Sequence, residues 1–194
     1  MQLPGNQFSD GALVHIVNRG NNQQPIFHSD EDYRWFTRKA VMLFENSKMK
    51  MVAYCLMPNH FHFFLQVSSA GDLSKYFQRL QLSYSKHFNR KYNLRGHLFE
   101  GNYRSIAISD EHHAIELVRY IFNNPVKSGL AIQPRDWEYS NYKNILSEIG
   151  VVQHFRPSTF LTEVFGTRAE FEEYLQNISD EFSRRLPTKL QLDS

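Results

Sequence analysis

The run Met57-Pro58-Asn59-His60-Phe61-His62-Phe63-Phe64-Leu65-Gln66 constrains this chain more than any other stretch. A Pro-Asn turn leads into an aromatic, apolar segment that carries two histidines one residue apart. In a β-strand successive side chains point to opposite faces, so His60 and His62 share one face while Phe61 and Phe63 share the other. Such a strand buries its phenylalanines and can hold a metal ion over its open face. The structural alternative is a pair of half-exposed histidines on an edge strand. For a bare His-x-His that alternative is favoured, because only two ligands are offered.

The order of elements around this strand weighs against an edge position. Ala12 to Asn18 is β-rich and roughly alternating, and predicts a first strand. Ser29 or Asp30 can cap a helix through Trp35, Phe36, Ala40, Leu43 and Phe44. Lys48 to Leu56 predicts the second strand and His60 to Val67 the third, joined as a hairpin. Asp72 is placed as the cap of a second helix through Leu73, Phe77, Leu80, Tyr84 and Phe88. Tyr103 to Ser109 predicts a fourth strand. Asp110 caps a third helix, Glu111 to Asn124, which is expected to stop before Pro125. From Gly129 the chain reads as loop anchored by Trp137 and Tyr139, and Arg168 to Phe182 is one further amphipathic segment. Strand–helix–strand–strand–helix–strand is the α+β, ferredoxin-like split βαβ arrangement, an antiparallel sheet with helices on one face. Its first and third strands are central, so the histidine strand is expected inside the sheet. The tail is expected to be a helical appendage and not a second core.

Composition narrows the setting. A formal charge of +2 over 194 residues is too small to mark a nucleic-acid binder by itself. The single cysteine, Cys55, has no partner for an internal disulfide, which fits a reducing cytosol, and its apolar surroundings favour a buried packing role. No charged-then-apolar leader and no apolar run of membrane-spanning length is present, so the expectation is a cytoplasmic protein with no membrane partner.

The third helix carries a second candidate constellation. Tyr120 and Asn124 are four apart and stack on one helix face. Alone they read as an amphipathic tyrosine and an asparagine near a helix end. With His60 and His62 the set becomes chemical: two imidazoles and an amide oxygen suit a divalent ion with positions left open for a phosphate, provided the helix lies on the histidine face. Tyr84 in the second helix is a distant alternative nucleophile, since its spacing with Leu80 and Phe88 favours packing. Tyr103 has no amide one turn away.

These motifs resemble the HUH endonuclease superfamily, closest to the single-tyrosine transposases and within them to the REP-associated branch. The resemblance runs from about Ala12 to Tyr142. It rests on His60-Phe61-His62 after Met57-Pro58-Asn59, on Asn18-Arg19-Gly20, on Gln81 to Asn89 and on Gly96-His97-Leu98-Phe99 with Gly101-Asn102-Tyr103-Arg104. Arg119-Tyr120-Ile121 with Asn124-Pro125-Val126, and Trp137-x-Tyr139-Ser140-x-Tyr142, complete it. It implies a catalytic domain over 8–142 and a C-terminal helical extension over 143–194. It also implies cleavage and strand transfer of single-stranded DNA at or near hairpins, through a 5′-phosphotyrosine intermediate. Tyr120 would be the nucleophile, His60, His62 and Asn124 the metal ligands, and Mg²⁺ or Mn²⁺ the ion. The assembly would be a monomer or homodimer. Catalytically silent hairpin binding, and a water-using metal phosphodiesterase with a structural Tyr120, are the alternatives.

Around the second helix and the following loop, cations alternate with aromatic residues, the usual chemistry of single-strand binding; a solvated helix face is the structural alternative. Arg90, Lys91, Arg95 and Arg104 flank the loop and are the leading DNA contacts, with Lys86, Tyr103, Arg19 and Arg119 as further candidates. Glu100 and Asn102 depart from the family pattern, which has glutamine and a cation there. That departure bears on affinity or target sequence and not on the chemistry.

Overall fold

A computed structural model describes residues 8–146 and 159–176. Four strands, β1 (Ala12–Arg19), β2 (Lys50–Met57), β3 (His60–Val67) and β4 (Arg104–Ile108), form one antiparallel sheet in the order β2-β3-β1-β4. The histidine strand is therefore central, as the element order requires. The helices α1 (Asp30–Phe44) and α2 (Ala70–Tyr92) complete the split βαβ unit, and α3 (Glu111–Lys127) follows it. Three short helices follow: α4 (Tyr142–Leu146), α5 (Phe160–Phe165) and α6 (Arg168–Gln176).

Two hydrophobic cores lie on opposite faces of the sheet. Val14, Ile16, Phe61, Phe63 and Leu65 face α1 and α2, which contribute Tyr33, Phe36, Ala40 and Phe44, and Leu73, Phe77, Leu80, Tyr84 and Phe88. Each buried phenylalanine here is worth about 1.5–3 kcal/mol of transfer free energy. Phe64 and the β2 residues Ala53, Cys55 and Met57 face α3, which contributes Ala114, Leu117, Tyr120 and Ile121. The expectation of helices on one face thus holds for α1 and α2 and is corrected for α3. An α3 that reads amphipathic in sequence is buried from Ala114 to Pro125 at nearly every position, because a helix sandwiched between a sheet and later helices must be apolar on more than one side. The tail supplies the outer layer. Leu161, Phe171 and Leu175 join the α3 core, and the rings of Phe122 and Phe171 lie 6.4 Å apart. The Gln176 end of α6 bounds the described part of the expected helix to Phe182; the remainder lies outside the described residues.

Local signals account for the boundaries. Ser69, not Asp72, caps α2: its hydroxyl accepts from Asp72 N at 3.2 Å, and Asp72 sits in the first turn, where a negative charge suits the helix dipole. Asn93 ends α2 in the left-handed region, φ 52°, a conformation asparagine tolerates. α3 does not stop before Pro125 but runs through it to Lys127. Proline removes one helical N–H and disfavours a helical predecessor, yet Asn123, Asn124 and Pro125 are all buried, and their packing holds the turn.

The stretch Trp137 to Asn141 closes the exposed edge of β2. Trp137 Nε1 donates to Leu56 O at 3.0 Å, and Leu56 N donates to Tyr139 O at 2.9 Å. Asn141 behaves as a strand in miniature, accepting from Tyr54 N at 2.6 Å and donating to Val52 O at 3.3 Å. An unpaired edge invites pairing with other chains, and this segment occupies it. Tyr139 also stacks on Tyr33, ring centroids 3.7 Å apart, so both expected anchors are in place.

Candidate active site

Strand register decides which residues share the histidine face. Residues opposite one another in adjacent strands point the same way. Arg19 pairs with His60, Val17 with His62 and His15 with Phe64, while Arg104 pairs with Val17. His15, Arg19, His60, His62 and Arg104 therefore project from one face, the face that α3 covers. Arg104 stands in the same cross-strand row as His62, two strands and about 10 Å away.

α3 brings Tyr120 and Asn124 onto the imidazoles. The Tyr120 ring meets His62 edge-to-face, centroids 5.5 Å apart, and Asn124 Nδ2 lies 3.4 Å from His62 Nε2. The His60 and His62 rings are 4.9 Å apart and perpendicular. All four side chains come together within a single chain, and all are buried: His62 at 0%, Asn124 at 1%, His60 and Tyr120 at 5% exposure. Burial, reinforced by the neighbouring His60 and His15 imidazoles, holds the His62 pKa well below its ordinary value, so the ring is neutral and able to offer a lone pair. His60 Nδ1 lies 2.7 Å from Asn59 Oδ1. The amide oxygen can only accept, so the proton sits on Nδ1 and Nε2 carries the lone pair.

Among the described residues no group of three or more His, Cys, Asp or Glu side chains is disposed to hold a metal. A cation site here needs the asparagine. The donor set of two neutral imidazoles and an amide fits a divalent ion between the nitrogen- and oxygen-preferring extremes, and neutral ligands leave its charge available to a phosphate.

The other candidate residues fall into three groups. Arg104, Arg90, Arg95 and Lys86 are exposed cations. The α2–β4 loop is tied to the histidine end of the sheet by Asn21 N to Leu98 O at 2.8 Å and Glu100 N to Arg19 O at 3.0 Å, which sets Arg95 and Arg104 at that end. Tyr103 is half-buried against Phe77, its hydroxyl 3.2 Å from Ser74 Oγ. Arg19, Lys91 and Arg119 are instead engaged by carboxylates. Arg19 forms a two-point pair with Glu100, with Nη2 to Oε1 at 3.1 Å. Lys91 Nζ reaches Asp32 at 2.7 Å and Glu31 at 2.8 Å, locking α2 to the start of α1. Arg119 is buried on the far side of α3, 3.2 Å from Glu116 and over the Tyr174 ring of α6. Burial and the Glu116 contact raise the Tyr174 phenol to about 12.

Tyr84 is fully buried on the opposite face of the sheet and donates to Ile26 O at 2.5 Å. Burial pushes its phenol far above the ordinary value. Two residues the sequence reading passed over stand at the site. His15 lies 3.0 Å from His62, and Lys127 Nζ lies 5.7 Å from the Tyr120 ring centroid, seven residues on along the same helix face. Lys127 could have been found from that spacing. His15 could not, because its approach to His62 depends on the register between β1 and β3.

The profile of the family described as "Transposase IS200 like" matches residues 9–124, more than half of the sequence and the span that contains all four site residues. The chain belongs to the IS200-like transposase family. A protein of Haemophilus influenzae described as a REP-associated tyrosine transposase is 27% identical over 117 residues, covering 54% of this chain and 66% of that relative, just under two-thirds of its length. Among solved structures, a REP-associated tyrosine transposase bound to a REP hairpin superposes with a TM-score of 0.62 at 19% identity, over 79% of this chain and 93% of the other. That likeness shows a shared fold, and the four-stranded transposase sheet with its flanking helices is the architecture described above. No helix among the described residues is long and apolar enough to cross a membrane.

Proposed function

We propose that this IS200-like transposase cleaves and rejoins single-stranded DNA at or near hairpins, through a covalent link to Tyr120, with Mg²⁺ or Mn²⁺ held by His60, His62 and Asn124. The observation that carries the reading is the Tyr120 ring packed on His62 with Asn124 one helical turn away and 3.4 Å from the same imidazole. His60 and His62 would bind through Nε2 and Asn124 through Oδ1. When bound, the ion supplies a Lewis acid that polarises the scissile phosphate.

The remaining chemistry belongs to the chain's own residues. Tyr120 Oη forms a bond to phosphorus, the bond from phosphorus to the 3′ oxygen breaks, and that oxygen takes a proton to leave as a hydroxyl. The 5′-phosphotyrosine keeps the ester's energy, so attack by another 3′-hydroxyl restores the phosphodiester and frees Tyr120. Burial of Tyr120 on a helix rather than a loop limits its orientation, which favours in-line attack. Lys127, over the Tyr120 ring, and Arg104, in the cross-strand row of His62, would contact neighbouring phosphates of the strand.

The likeness to a hairpin-bound relative supports a hairpin substrate. The test is a denaturing-gel assay with end-labelled single-stranded hairpin DNA from the flanks of the gene, with Mn²⁺. The expected result is label that migrates with the protein, and that is abolished by a chelator and by Tyr120→Phe. Cleavage that survives Tyr120→Phe would replace the tyrosine with water as nucleophile. Tight binding without cleavage would make this a binding protein.

A further inference from the structure

His15 is a buried polar side chain in the middle of the sheet, 1% exposed, with Phe64 and Ile106 opposite it on the two neighbouring strands. An imidazole in such a place costs free energy unless its nitrogens are used. Only one is. His15 Nε2 lies 3.0 Å from His62 Nδ1, and His15 Nδ1 has no hydrogen-bond partner among the described residues. The two rings are nearly coplanar, within 10°, with centroids 5.2 Å apart. With a 3.0 Å nitrogen–nitrogen contact this is an edge-to-edge arrangement, the one an N–H···N bond between imidazoles requires.

The proton in that bond has two places to sit, and they differ in consequence. If His15 donates, His62 carries its own proton on Nε2 and has no lone pair to offer there. If His62 donates from Nδ1, its Nε2 is free to bind. Asn124 Nδ2 faces His62 Nε2 at 3.4 Å, an N–H donor pointed at a nitrogen that must then carry a lone pair. We propose that His15 is a positioning residue for the metal site: it accepts the Nδ1 proton of His62 and so fixes the tautomer in which Nε2 can ligate a cation. His15 holds its own proton on Nδ1 and leaves that donor unpaired, a local cost consistent with a role outside packing. His60 has the equivalent support from Asn59. Each of the two candidate histidine ligands is thus oriented by a different second residue, as metal-binding histidines generally are. The inference rests on the metal reading above, but it makes a claim about His62 that can be examined without metal.

The experiment compares wild type, His15→Leu and His15→Gln. Long-range ¹⁵N–¹H NMR of the metal-free proteins reports which His62 nitrogen carries the proton, and Mn²⁺ titration followed by electron paramagnetic resonance reports affinity. Wild type should show His62 protonated on Nδ1. His15→Leu should move the proton to Nε2 and weaken Mn²⁺ binding about ten-fold or more. His15→Gln, whose amide oxygen can accept, should restore the Nδ1 tautomer and most of the affinity, and it serves as the folded variant should leucine disrupt the sheet. A His62 already protonated on Nε2 in wild type, or unchanged in His15→Leu, would overturn the proposal. Wild type that binds no Mn²⁺ while its tautomer still depends on His15 would overturn the metal reading and leave the positioning claim standing.

Discussion

Substituting Glu100 by glutamine should turn Arg19 from an internal partner into a phosphate contact. Arg19 stands opposite His60 in register, at the rim of the site, and its guanidinium is held at two points by Glu100. The Glu100 contact raises the arginine's pKa and lowers its own. The pair is partly exposed, 21% and 41%, so breaking it costs only about 0–1 kcal/mol of stability. The functional effect is larger. Each additional phosphate neutralised on a single strand steepens the dependence of log affinity on log salt by about 0.7. One freed arginine should therefore raise affinity about five-fold at 0.1 M salt relative to 1 M. Fluorescence anisotropy with a labelled hairpin, titrated from low to high salt, reads both slope and intercept. Wild type and Glu100→Gln should converge at high salt, and Arg19→Gln should cancel the gain in the double variant. A slope unchanged in Glu100→Gln, or a gain that persists without Arg19, would refute the reasoning.

Tyr84→Phe removes a buried hydroxyl and leaves the Ile26 carbonyl unpaired, so it should destabilise by about 1–3 kcal/mol while adduct formation continues below the melting temperature; loss of the adduct in a folded Tyr84→Phe would bring that tyrosine into the chemistry. Asn141→Ala strips partners from Tyr54 N and Val52 O on the β2 edge and should lower stability by about 2–4 kcal/mol in urea unfolding, with a change under about 0.5 kcal/mol showing that the edge is capped some other way. Burial raises the Asp32 pKa, but bonds from Lys91, Tyr92 and His28 N outweigh it and the folded value is depressed. Its contribution to stability is therefore complete above the unfolded value of about 3.9 and is lost as pH falls through the lower folded value. Urea midpoints measured down the acid range should fall faster in wild type than in Asp32→Asn, and parallel curves would contradict this.

Much of the fold could be read along the chain because its signals are local. The alternation in His60 to Val67, the Pro58-Asn59 turn and the helical spacing from Phe36 to Phe44 each depend on neighbours a few residues apart, and the elements stand where that spacing put them. Two helix ends differ from the expectation for different reasons: at α2 a competing local signal, Ser69, takes the cap in place of Asp72, whereas at Pro125 burial carries α3 through the proline.

The site divides along the same line. Residue types and short spacings nominated His60, His62, Tyr120 and Asn124 from sequence, because His-x-His on a strand and Tyr-x₃-Asn on a helix each fix a shared face. Which face α3 covers was decided only in three dimensions, since it depends on chain crossing over a sheet. The fate of the cations was decided there too. Arg119 has its partner Glu116 one turn away in the same helix, but Arg19 and Lys91, as basic in the sequence as Arg104, find theirs in Glu100, eighty-one residues from Arg19, and Asp32, fifty-nine residues from Lys91. His15 meets His62 across forty-seven residues for the same reason. A charge or an imidazole carries no local mark of its partner; the register of the sheet and the packing of helices supply it.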